Sequence, residues 1–151
     1  MKSTAYLYFS DRFSEIIVVV NEFTSKGTMF YASAVAHALQ PLAPEAIGHA
    51  LKLALKASRC ADKSDFELRQ LWSKSQFPPL LVAAAATMDE FENAYHPVVV
   101  WIEDHAIWLR PAACATLLKP PRRFVPKDAT DEVLGREVYL LWSDISNLVC
   151  Q

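Results

Sequence analysis

The opening of the chain alternates short apolar runs with polar breaks. Residues 5–9 are rich in aromatics, Ser10, Asp11 and Arg12 interrupt them, and Ile16, Ile17, Val18, Val19 and Val20 resume the apolar character after Glu15. Aromatic and β-branched side chains suit a half-buried pleat, so the pattern predicts two strands joined by a tight turn. A polar connection over 21–27 ends in glycine, and residues 28–34 read as a third strand. An antiparallel meander is the expected result.

The period then changes. Pro44 and Glu45 open a stretch in which Ile47, Leu51, Ala54 and Leu55 recur at steps of three and four, the spacing of one helical face. Proline sits in the first turn, where its missing N–H costs nothing, and a helix over about 44–58 follows. Residues 59–77 are polar and mixed in charge; Ser64 to Glu67 has the form of a capping box for a short helix through Leu71 and Trp72, and Pro78-Pro79 closes that section. Residues 80–86 form an alanine-rich run that could begin a further helix, and Thr87 to Glu90 is a second capping box leading into residues 91–95.

Strand character returns over 98–102, turns at Glu103, Asp104 and His105, and continues over 106–109 as a hairpin. Residues 113–118 and 122–125 are expected to be short or edge strands because Pro120-Pro121 lies between them. Capping residues between Asp128 and Asp131 precede a closing helix over about 132–146, whose apolar face is Val133, Leu134, Val138, Leu141, Trp142 and Ile145. The fold class is therefore α+β: a single domain over 1–151 in which an antiparallel sheet, built from the N-terminal meander and the later hairpin, packs against those two helices.

The two helices also align with each other, Glu45-Ala46-Ile47-Gly48 against Glu132-Val133-Leu134-Gly135, with Leu53 meeting Leu140. A duplicated strands-then-helix unit is one explanation, shared helix grammar the other. Gly48 and Gly135 lie one turn inside their helices, where glycine costs about 1 kcal/mol relative to alanine. A close backbone contact with the sheet is the expected reason.

Composition narrows the class. At 151 residues the chain is long enough for a sizeable core, and 52% apolar against 21% charged residues excludes disorder. A net charge of −2 argues against general nucleic-acid binding, which needs an excess of Lys and Arg. The three cysteines, Cys60, Cys114 and Cys150, fit neither a disulfide framework nor a Cys-x-x-Cys half-site, so inert thiols in a reducing compartment are expected. The longest early apolar run, 16–20, is too short for a signal-peptide core or a membrane span, and a cytoplasmic location with no membrane association is expected.

Candidate chemistry is sparse. Glu103-Asp104-His105 puts two carboxylates beside an imidazole, the parts of a general base, but at a hairpin tip a solvated turn accounts for them. His49 follows Glu45 by four residues and can pair with it on the helix surface. His37 and His96 have no partner at a ligand spacing, so no metal is expected. Only Gly27, Gly48 and Gly135 exist, far apart, so no phosphate-cradling loop and no cofactor are expected. No catalytic residue is assigned.

Charge blocks are more informative. From Thr87 to Leu109 the charged residues are Asp89, Glu90, Glu92, Glu103 and Asp104; from Arg110 to Lys127 they are Arg110, Lys119, Arg122, Arg123 and Lys127, leaving aside Cys114 and the histidines. Such blocks either steer a charged partner or neutralise each other within the fold. Of the four tryptophans, Trp142 and Trp101 are expected in the core, and Trp72 is the better candidate for the surface.

The stretch FYASAVAHALQPLAPEAIGHALKLALKAS, from Phe30 to Ser58, resembles the central region of the immunity proteins of contact-dependent growth inhibition systems, in which a strand leads into a Glu-x-x-Gly helix ending in Ala-Ser. TMDEFENAY is similar to the family's Ser-x-x-x-Phe-Glu segment, and FVPKDATDEVLGREVYLLW to its closing Glu-x-x-Gly helix. Together these pieces span much of the chain beyond Phe30. The sequence departs from the pattern in lacking some glycines and polar linker residues between the first helix and Pro78. The resemblance implies a cytoplasmic protein that binds the C-terminal toxin domain of a cognate CdiA protein, often a nuclease, and blocks its active site.

An acidic binder of a basic nuclease fits that implication, since carboxylates can occupy a site built for phosphate. The expected partner-facing residues are Asp89, Glu90, Glu92, Glu103 and Asp104, with Asp62, Asp65 and Glu67 second. The alternatives are a chaperone or scaffold subunit, which predicts a large exposed apolar patch, and a small hydrolase using His105 with Glu103 or Asp104.

Overall fold

The structure, a computed structural model, describes residues 3–24, 26, 29–39, 42–60, 64, 66–67, 77–112 and 120–149. Strands β1 (Thr4–Ser10), β2 (Glu15–Phe23) and β3 (Met29–Leu39) form a first meander that leads into α1 (Pro44–Ala57). The two-residue β4 (Arg59–Cys60) and the short helices α2 (Pro78–Val82) and α3 (Met88–Ala94) follow. A second meander, β5 (His96–Glu103), β6 (Ala106–Pro111) and β7 (Arg123–Pro126), leads into α4 (Asp131–Val149).

The antiparallel strands are ordered β3-β2-β1-β5-β6-β7, and β4 adds to the far end of β2 in parallel. The two meanders thus meet back to back, β1 against β5, with Tyr6 opposite Val99 and Leu7 opposite Val98. The α+β class and both long helices agree with the sequence reading. The third strand runs five residues beyond its expected end, and Pro78-Pro79 begins α2 instead of closing a segment, as proline in a first turn permits. The strand expected at 113–118 and the helix expected through Trp72 lie outside the described residues.

Period-two alternation assigns the two faces of the sheet. Leu7, Phe9, Ile16, Val18, Val100, Ile107, Leu109 and Val125 point to one side, where Ile47, Leu51 and Leu55 of α1 and Leu134, Val138, Leu141 and Ile145 of α4 complete the main core. Each such side chain, removed from water, contributes about 1.5–3 kcal/mol. Trp142 belongs to this core and stacks on Phe9 with ring centroids 4.8 Å apart.

Gly48 and Gly135 pack against helices, not the sheet. A methyl at Gly48 would overlap the carbonyl of Asp131 in the first turn of α4, and one at Gly135 would overlap the carbonyl of Pro44 in the first turn of α1. The contact is reciprocal, each glycine sitting under the other helix's start, because only a residue without Cβ lets the two backbones cross this closely. Around that crossing Lys52 Nζ lies 2.7 Å from Asp131 Oδ1, and the ring of His49 bonds to Asp131 Oδ2 at 3.1 Å, in place of the expected pairing with Glu45. Thr130 caps α4, its Oγ1 accepting from the N–H of Val133.

Candidate functional site

Among the described residues, the other face of the sheet is covered over only half its width. Tyr8, Ile17 and Val19, on the first meander, are buried beneath Ala85, Phe91, Ala94 and Tyr95 of the α2–α3 segment. Thr87 Oγ1 accepts from the N–H of Glu90 and so starts α3, while the Glu90 carboxylate accepts from the N–H of Ala86 and pairs with Arg12 at 3.0 Å. The segment is also tied down by Glu15, which is 3% exposed at the start of β2. Its carboxylate accepts from the Tyr95 hydroxyl and from the N–H of Ala84 at 2.9 Å, and His37 Nε2 lies 2.7 Å away.

Burial pushes the Glu15 carboxyl up, but the hydrogen bonds from Tyr95, Ala84 and His37 outweigh it and hold the group below the usual carboxylate range. Burial raises the Tyr95 hydroxyl well above an ordinary tyrosine, and the neighbouring carboxylate raises it further. No local pattern announces this cluster: Glu15 and His37 meet through the β2–β3 register, in which Ile17 is opposite His37, and Tyr95 arrives from eighty residues away.

On the second meander the matching half-face is open among the described residues. Thr4, Trp101, Trp108 and Phe124 stand in one row across β1, β5, β6 and β7, each directly opposite the next. The two indoles lie nearly parallel with centroids 6.1 Å apart, and Phe124, 60% exposed, approaches Trp108 at 5.0 Å. The adjoining row is Tyr6, Val99 and Arg110, and the Arg110 guanidinium lies over the Trp101 ring at 5.6 Å. Arg122 directly precedes β7, next to the last β6–β7 pair, Leu109 with Arg123. Thr4, Tyr6, Trp101, Glu103, Arg110 and Arg122 line an open groove of 420 Å³ on this face.

Trp101 was expected in the core; alternation instead turns Val100 inward and leaves Trp101 half-buried over the groove. Its indole N–H donates to Glu103 Oε2 at 3.0 Å. The exposed aromatic row is not evident from the expected three-residue turn at Glu103, Asp104 and His105, which would set Trp101 opposite Ile107; the turn is one residue shorter, Glu103 pairs with Ala106, and Trp101 stands opposite Trp108.

The expected acidic residues fall into separate places. Asp89 and Glu92 are exposed on α3 and Glu90 is engaged with Arg12, at one end of β5; Glu103 and Asp104 stand at the other end, about 20 Å away along the strand. Glu67 is exposed and closes a capping box with Ser64, whose N–H donates to its carboxylate at 2.8 Å. Asp62 and Asp65 lie outside the described residues. His105 is exposed with φ 67 beside Asp104 with φ 48, a two-residue turn of left-handed residues. Of the basic block, Arg123 turns inward to Glu137 and Asp144, both at 2.9 Å, whereas Arg110, Arg122 and Lys127 are exposed and Lys119 lies outside the described residues.

Among the described residues no group of three or more His, Cys, Asp or Glu could hold a metal ion, and no helix is long and apolar enough to cross a membrane. No family model and no curated protein matches the sequence. The fold, however, is shared with solved structures. A protein of unknown function from Neisseria meningitidis superimposes with a TM-score of 0.73 at 13% identity, over 95% of each chain. A chain of the CdiA-CT/CdiI toxin and immunity complex from Yersinia pseudotuberculosis superimposes with a TM-score of 0.63 at 14% identity, over 95% of this chain and 97% of that one.

Proposed function

We propose that this protein is an immunity protein: it binds a cognate CdiA-type toxin domain in the cytoplasm and acts by occupying it, not by chemistry of its own. The observation that carries the reading is the fold likeness to a chain of a toxin and immunity complex over nearly the whole length. The open half-face supports it, since tryptophan and arginine beside a groove are the residues that anchor protein interfaces. The resemblance of the Glu-x-x-Gly helices to the immunity family favours the inhibitor's side of such a complex.

The test is co-expression with the polypeptide encoded immediately upstream of this chain's gene. Growth arrest by that polypeptide alone, relieved by this protein together with a one-to-one complex on size exclusion, is the expected result. A folded protein that neither binds nor protects would sink the reading.

The exposed aromatic row also favours a second reading, a chaperone or scaffold subunit. It differs in predicting comparable binding to several unrelated apolar segments, where the immunity reading predicts one partner.

A further inference from the structure

We propose that the open half of the sheet is the docking surface for an acidic, extended segment of the partner protein, with a carboxylate seated between Arg110 and Arg122 and apolar side chains against Trp101, Trp108 and Phe124. The proposal rests on the binding role above and adds the surface and the chemistry it recognises.

Charge is the first argument. Arg110 and Arg122 line one groove, and two like charges brought to one place on a sheet disfavour the fold unless an anion lies between them. Three other arginines are paired: Arg12 with Glu90, Arg123 with Glu137 and Asp144, Arg136 with Glu132. Among the described residues no carboxylate pairs with Arg110 or Arg122. Two guanidinium forks converging on one groove suit a carboxylate, which each can hold through paired N–H donors.

The second argument is the matching half of the molecule. Aligning the Ser10–Glu15 and Glu103–Ala106 hairpin closures sets Tyr8 against Trp101 and Ile17 against Trp108. Tyr8 and Ile17 are buried under the α2–α3 segment, whereas their counterparts have no such cover among the described residues. The bare counterpart carries larger aromatic side chains, which suits a covering segment supplied by another chain.

Ring geometry separates a peptide from a nucleic acid. Trp101 and Trp108 lie within 16° of parallel beside each other, and Arg110 lies over Trp101, so the ring faces a base would stack on are partly taken.

The experiment titrates the upstream-encoded polypeptide against the wild type, an Arg110→Glu/Arg122→Glu variant, Trp108→Ala, and a Lys56→Glu control on the exposed side of α1. Circular dichroism confirms that each is folded. The double reversal should weaken binding by about a hundredfold and Trp108→Ala by about tenfold or more, with the control unchanged. In parallel, poly-glutamate should shift the tryptophan emission of the wild type but not of the double variant, and 0.5 M salt should abolish the shift.

If the double variant binds as tightly as the wild type, the docking assignment is overturned while the immunity reading stands. If the wild type itself does not bind the polypeptide, the immunity reading falls and takes the assignment with it. A stronger response to oligouridylate than to poly-glutamate would assign the face to single-stranded nucleic acid. Concentration-dependent dimers broken by Arg110→Glu would assign it to a second copy of this chain. Either result overturns the proposal.

Discussion

Glu15 opens β2 with a carboxylate whose ionisation burial opposes, and the hydrogen bonds of Tyr95, Ala84 and His37 outweigh that burial. Hydrogen bonds to a charged group are each worth about 1.5–3 kcal/mol when a partner is lost, so Glu15→Gln should cost about 2–3 kcal/mol at pH 7. The pH dependence has a definite sign. The folded-state carboxyl titrates below its ordinary value of 4.5, so its contribution is complete above that value and is lost as pH falls through the lower, folded one. Urea unfolding of wild type and Glu15→Gln across pH 7 to 3 should therefore converge in acid. Curves that stay parallel would mean the carboxylate is not held by these donors. Nothing local in the sequence marks this cluster, because Glu15 sits at a strand start where a glutamate normally faces water.

The crossing of α1 and α4 joins the two meander-and-helix units on the helical side, as β1 and β5 join them within the sheet. The sequence displayed its key residues, Gly48 and Gly135, in equivalent places, but period and propensity could not say whether helix or sheet approached them. On propensity alone Gly135→Ala should stabilise by about 1 kcal/mol. The added methyl instead meets a backbone carbonyl that no rotamer change can move, and separating the helices loosens Leu51, Leu134 and Leu141 behind it. Gly135→Ala should therefore be destabilising by about 3 kcal/mol, read as a lower urea midpoint at unchanged slope. A raised midpoint would mean that the helices are not in backbone contact there. The elements themselves were legible where one rule dominates: the three- and four-residue period of both helices, the Thr87 cap of α3, and the hairpin after residue 98, though its turn is one residue shorter than the three expected. Strand length was not, since β3 continues over residues 35–39 through its pairing with β2, a partner that no local pattern records.

At the scale of the whole molecule, two topologically equivalent halves share one core but differ in what lies on the second face. The strands' alternation was readable, and so was the presence of a polar stretch and short helices between the halves; which half those helices cover depends on tertiary contacts of Phe91 and Phe77 with Tyr8, and of Tyr95 with Phe91. That asymmetry explains why Trp101 was misplaced: an apolar run with both faces buried and one with a face held open read alike in a single sequence. It also gives a measurable contrast between equivalent positions. Ile17 is fully buried beneath the α2–α3 segment, and truncation to alanine should cost about 3 kcal/mol through lost burial and a cavity. Trp108 is a much larger residue, yet it is only half-buried and touches chiefly its cross-strand neighbours Trp101 and Phe124, so Trp108→Ala should cost only about 1 kcal/mol. Chemical denaturation of both variants makes the comparison directly. If Trp108→Ala costs as much as Ile17→Ala, the second half-face is covered within the free protein, and its availability to a partner is lost. If the contrast holds, a large aromatic side chain contributes little to the fold that carries it, and its energetic role belongs to what binds over it.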